Sequence, residues 1–96
     1  MSPINKKKLD LIRIKLDRLD NELLKLIKKR SNLVNEVLKV KIHKKEIIDQ
    51  KRIKFILKRI KKRSIKAKID PMITASIWKE MIKAFIRYEY KNFKKK

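Results

Sequence analysis

The chain has 96 residues, 43% of them hydrophobic and 43% charged, and its 31 Lys+Arg against 10 Asp+Glu give a formal net charge of +21. A chain this short makes one domain with little apolar surplus, and its charge points to anionic ligands, nucleic acid or acidic surfaces as partners. Without cysteine there is no disulfide framework or thiolate metal site, and one histidine, His43, builds no cluster, so no structural metal is expected.

Glycine is absent and no proline falls between Pro3 and Pro71, so nothing in that interval forces the backbone out of a helix. The fold class read from this is all-α. Ser2 can cap a first helix with Pro3 as its first residue. Leu9, Ile12, Leu16, Leu19, Leu23, Leu26, Leu33, Val37 and Val40 then follow an alternating three-and-four spacing, which predicts one very long helix to about Val40 or Lys41. At about 1.5 Å per residue it would measure about 57 Å, against a radius of gyration of about 12 Å for a compact domain of this length. A helix so much longer than its own domain calls for a second chain to cover it.

The stretch "HKKEIID", residues 43–49, loses the periodicity and reads as a connector. Asp49 caps a second helix to about Ala67, with Ile53, Leu57, Ile60 and Ser64 along its inner face. "IDP", residues 69–71, starts a third helix with Asp70 as cap and Pro71 in the first turn, and Ile73, Ile77, Met81, Phe85 and Tyr88 are expected on its inner side. The tail, residues 91–96, has one apolar residue and is expected to fray. Residues 1–96 thus form a single helical domain. Trp78, the two tyrosines and the phenylalanines lie at helical spacing and read as core rather than as base-stacking platforms, and His43 reads as a solvated loop residue. The N-terminal segment lacks a continuous apolar core of signal-peptide length, and no uncharged stretch approaches the roughly 20 residues of a membrane span, so a cytoplasmic chain that does not enter a membrane is expected.

One residue breaks the seam of the first helix. Arg30 stands where the spacing calls for leucine, and burying a guanidinium without a partner costs several kcal/mol, so it should face an acidic residue or an anionic ligand. Lys41, eleven residues on, projects from the same face about 16 Å further along the axis, so two cations address one groove. Arg13 is rotated by roughly 100° from that face and lies about 25 Å away, out of reach of the same pocket in the same chain. In an antiparallel dimer it could complete the partner's site.

These residues carry a resemblance. "LDRLDNELLKLIKKR", residues 16–30, followed by "VLKVK", residues 37–41, resembles the signature of the all-helical, type II chorismate mutases. The likeness continues through "DQKR", residues 49–52, and "IDPMITASIWKEMIKAFIRYE", residues 69–89, so it covers nearly the whole chain. It implies an intertwined homodimer of three-helix subunits with two active sites, each completed by an arginine from the other subunit, the position Arg13 matches. By the same matching Arg30 and Lys41 would hold the carboxylates and ether oxygen of chorismate, Arg52 would add positive charge and Asp49 would sit near the ring hydroxyl. Glu89 matches the Gln or Glu placed against the ether oxygen.

The implied reaction is the intramolecular Claisen rearrangement of chorismate to prephenate, an isomerisation in aromatic amino acid biosynthesis. Its substrate is a dianion, and the work required is to fold the enolpyruvyl arm over the ring and stabilise negative charge on the ether oxygen, which needs no cofactor. Val37, Ile56, Ile82 and Ile86 would be its apolar walls. Glu89 can donate to an ether oxygen only while protonated, which implies turnover that falls as pH rises.

Two positions depart from the family pattern. Ile53 stands where a glutamate binds the ring hydroxyl, and Phe85 where a small hydroxyl residue is common. Both bring the sequence closer to the isochorismate-pyruvate lyases on the same scaffold, which form salicylate and are the second reading, as the short Lys41-to-Arg52 connector also suggests. From another class, a basic helical nucleic-acid binder is disfavoured, because the lysines are distributed over all three helices and Arg30 sits in the seam, out of reach of a duplex. A purely structural coiled coil, in which Arg30 meets a glutamate of the partner chain, leaves Lys41 and Arg52 without a role.

Overall fold

A computed structural model describes residues 1–95. Its elements are helix α1 (Pro3–Val40), a short 3-10 turn (Lys44–Glu46), helix α2 (Gln50–Lys66) and helix α3 (Pro71–Asn92). The fold is all-α. The chain divides into two units, Met1–Leu33 and Val34–Lys96.

The helix boundaries follow local chemistry. Ser2 Oγ accepts from the Asn5 N–H at 3.1 Å, satisfying one of the donors a helix start leaves open. Asp49 does the same for α2 through the Arg52 N–H at 3.0 Å, and Asp70 for α3 through the Met72 N–H at 2.9 Å, with Pro71 as the first helical residue. Between α2 and α3 the chain reverses through a Schellman turn. The Ile69 N–H bonds the Ser64 carbonyl at 2.9 Å and the Lys68 N–H bonds that of Ile65 at 3.1 Å. Lys68 takes the left-handed conformation there, φ 59°, a place usually given to glycine, of which this chain has none.

The Met1–Leu33 unit is the first part of α1. Leu9 is half-buried, but the seam beyond it is exposed, Leu16 by 52%, Leu19 by 60%, Leu23 by 54% and Leu26 by 59%, so this unit leaves most of the apolar stripe that defines it uncovered.

In the Val34–Lys96 unit, α2 packs on α3. Ile53, Ile56, Leu57 and Ile60 line the inner face of α2 and are half-buried; Ser64, next on that face, is buried. Ser64 Oγ donates to the Ile60 carbonyl and lies 2.7 Å from Thr74 Oγ1, so the two small side chains pair where the helices meet at the turn. On α3 the observed inner face is Thr74, Trp78, Met81, Ile82, Phe85, Ile86 and Glu89. The expectation of Ile73, Ile77 and Tyr88 on this side is corrected: all three are exposed. Helix α3 carries apolar residues along two adjacent stripes, and the pairing of Thr74 with Ser64 turns the 74/78/82 stripe, not the 73/77 stripe, toward α2.

The end of α1 shows a similar offset. Leu38 is buried, whereas Val37 and Val40, on the predicted seam, are exposed. In the connector, Glu46 accepts from the His43 N–H at 3.0 Å, and Ile47, only 3% exposed, anchors the segment. The buried apolar residues of the described chain are Leu38, Ile47 and Ile82. That core is small for a sequence with 43% hydrophobic content.

Candidate active site

The site is built in the Val34–Lys96 unit from the end of α1, the connector that follows it and, 48 residues beyond Lys41, α3. Lys41 is the first residue beyond α1, and Glu89 lies in the last turn but one of α3. Lys41 Nζ stands 3.1 Å from Glu89 Oε1 and 3.5 Å from the Ile47 carbonyl oxygen. The side chains are 16% and 9% exposed, so this is a sheltered ion pair, unlike Lys25–Glu22 and Lys83–Glu80, whose side chains are mostly in water. Sheltering matters because two charges taken from water need each other. Removal of one partner of a buried pair costs about 3–5 kcal/mol.

The chain accepts that constraint for a reason visible in the donor count. An ammonium has three N–H groups. Glu89 and the Ile47 carbonyl take two of them and orient the group, which leaves one for a ligand oxygen. Val37, exposed at the end of α1, and half-buried Ile56 and Ile86 are the more open of the apolar residues expected as walls; Ile82 is buried.

Asp49 and Arg52 sit together at the start of α2. The Asp49 carboxylate is engaged as the helix cap, and the Arg52 guanidinium lies over the Phe55 ring at 5.4 Å from its centroid. Arg52 is exposed. Arg13 and Arg30 belong to the Met1–Leu33 unit: Arg13 is exposed on α1 and Arg30 half-buried. Ile53 on α2 and Phe85 on α3, the positions that depart from the family pattern, are half-buried on the facing sides of their helices.

Two contacts around this cluster escape a reading of sequence alone. Tyr88 Oη donates to Asn35 Oδ1 at 2.7 Å, fixing α3 against the end of α1 one residue before Glu89. The Ile47 carbonyl that steadies Lys41 is the other. The signal for the first is an asparagine in the interior of a long helix, a poor helix former that needs a use. The carbonyl leaves no trace in residue type.

Lysine and an acid from the ends of two helices, joined in shelter, are what a match to a known family would have to account for. The family model for type II chorismate mutases matches residues 12–90. This chain belongs to that family. The match takes in Lys41, Glu89 and every other residue of the predicted site, Arg13, Arg30, Asp49 and Arg52. Comparison with curated proteins and with solved structures gives no match. Among the described residues no helix is long and apolar enough to cross a membrane.

Proposed function

We propose that the chain is a chorismate mutase, an isomerase that converts chorismate to prephenate, and that it acts as a cytoplasmic homodimer. The observation that carries the proposal is the sheltered Lys41–Glu89 pair inside the family-matched segment. Lys41, held in place by the Glu89 carboxylate, offers its remaining N–H to the ether oxygen. As the C–O bond breaks and the new C–C bond forms, that donor meets the negative charge where it develops. Arg30, and Arg13 from a second copy, hold the two carboxylates, so that the arm stays folded over the ring. Arg52 adds positive charge at the edge and Asp49 receives the ring hydroxyl. The exposed seam of the Met1–Leu33 unit supports the second copy, since contiguous apolar surface of this kind marks an association site.

Ile53 and Phe85 favour a second reading, isochorismate-pyruvate lyase, because neither offers the ring hydroxyl of chorismate a polar partner. Incubating the purified protein with chorismate and with isochorismate, and identifying the products, separates the two. Prephenate from chorismate establishes the mutase; salicylate and pyruvate from isochorismate, with little prephenate, establish the lyase. Consumption of neither refutes both.

A further inference from the structure

Cations occur on all three helices, but their density and the acids that offset them are unequal, which corrects the even distribution on which nucleic acid was disfavoured. Helix α1 interleaves eleven Lys or Arg with five Asp or Glu, and α3 four with two, whereas α2 has nine in 17 residues and no acid. A general enrichment in lysine does not explain the missing acids, because no Asp or Glu occurs between Asp49 and Asp70.

The structure shows what that composition makes. All nine cations of α2 are exposed, and at 100° per residue they fall within an arc of about 200°, opposite the face that packs on α3. From Lys51 to Lys66 they run for about 22 Å along one straight axis. Among the described residues none of them forms an ion pair, although α1 and α3 each pair a surface lysine with a glutamate of their own. Nine like charges on one short helix repel one another, a cost that a polyanion removes.

We propose that the outer face of α2 docks on the phosphate backbone of double-stranded DNA without reading its sequence. A duplex carries one negative charge per about 1.7 Å of axis with both strands counted, so a ridge of about 22 Å spans about a dozen phosphates, of which those on the near side are within its reach. The face has the dimensions of a helix, about 10–12 Å across, which the major groove of about 12 Å admits. An anionic membrane fits less well. A surface-lying helix inserts its apolar side, and the apolar side of α2 is engaged with α3, leaving Phe55 and Ile65, ten residues apart, as its large exposed apolar residues.

The test uses the full chain and a fluorescent duplex of about 20 base pairs of mixed sequence, titrated between about 50 and 200 mM salt. Lys54→Gln, Lys58→Gln, Lys61→Gln and Lys62→Gln combined remove four charges from the α2 face. Lys6→Gln, Lys7→Gln, Lys8→Gln and Lys15→Gln combined remove four from α1. The α2 variant is expected to lose at least about tenfold in affinity and to flatten the plot of log K against log salt by about 3–4, while the α1 variant stays near wild type. Neither set touches the proposed substrate residues, so turnover of chorismate is unchanged in both. Equal losses in the two variants would reduce the effect to net charge and overturn the proposal. So would absence of duplex binding by the wild type at about 150 mM salt, or binding to phosphatidylserine vesicles in its place.

Discussion

Substitution of Lys41 by methionine keeps the apolar stem and removes the ammonium from a group 3.1 Å from Glu89. At that separation and an effective dielectric constant of about 20, the Coulomb attraction is about 5 kcal/mol before the desolvation of both ions is set against it. What remains on removing one partner is governed by the stranded carboxylate, which is 9% exposed and loses its cation; the expected net loss is about 3 kcal/mol. Glu89→Gln should cost only about 1 kcal/mol, because the amide oxygen still accepts from Lys41. With a denaturant slope of about 1–2 kcal/mol/M in urea, Lys41→Met lowers the unfolding midpoint by about 1.5–3 M, measured by helical circular dichroism at one protein concentration for all variants. Combining Lys41→Met with Glu89→Leu should recover most of the loss, since an apolar pair of similar volume needs no partner. A Lys41→Met midpoint within error of wild type, or a Glu89→Gln loss larger than that of Lys41→Met, would refute the view that this pair is energetically sheltered.

If Arg13 is donated between subunits, Arg13→Ala and Arg30→Ala are each inactive alone, yet mixing and reassociating them regenerates one intact site in each mixed dimer and about a quarter of wild-type activity. Lys68→Gly should stabilise by about 0.5–1 kcal/mol in thermal or urea unfolding, because the left-handed backbone at φ 59° crowds a Cβ that glycine lacks. Thr74→Val should destabilise by about 1–2 kcal/mol, as it leaves Ser64 Oγ against a methyl group in the buried contact between α2 and α3.

The helices themselves are legible in the sequence because their signals are local. Ser2, Asp49 and Asp70 each satisfy a backbone N–H two or three residues away, so a cap can be read without knowing what the helix packs on. The inner face of α2 is equally open to reading: Ile53, Leu57, Ile60 and Ser64 repeat at helical spacing, whereas Phe55 and Ile65 stand apart and form no stripe to bury. On α3 two stripes were available, and the choice between Ile73/Ile77 and Thr74/Trp78/Ile82 depended on a hydroxyl contact with Ser64, ten residues earlier in the chain. The same holds for the site. Periodicity brings out Arg30 as an exception on its own helix, helix geometry places Lys41 on the same face, and the family resemblance names Glu89. The meeting of Lys41 with Glu89 at 3.1 Å across 48 positions, steadied by the Ile47 carbonyl and by Tyr88 on Asn35, is a product of packing. The elements, their caps and the charge of each helix are set by neighbours within a turn and so can be read from residue order. Which stripe is buried and which cation meets which acid is settled by packing, because those choices compare the burial of alternative surfaces and the pairing of groups that local sequence does not bring together.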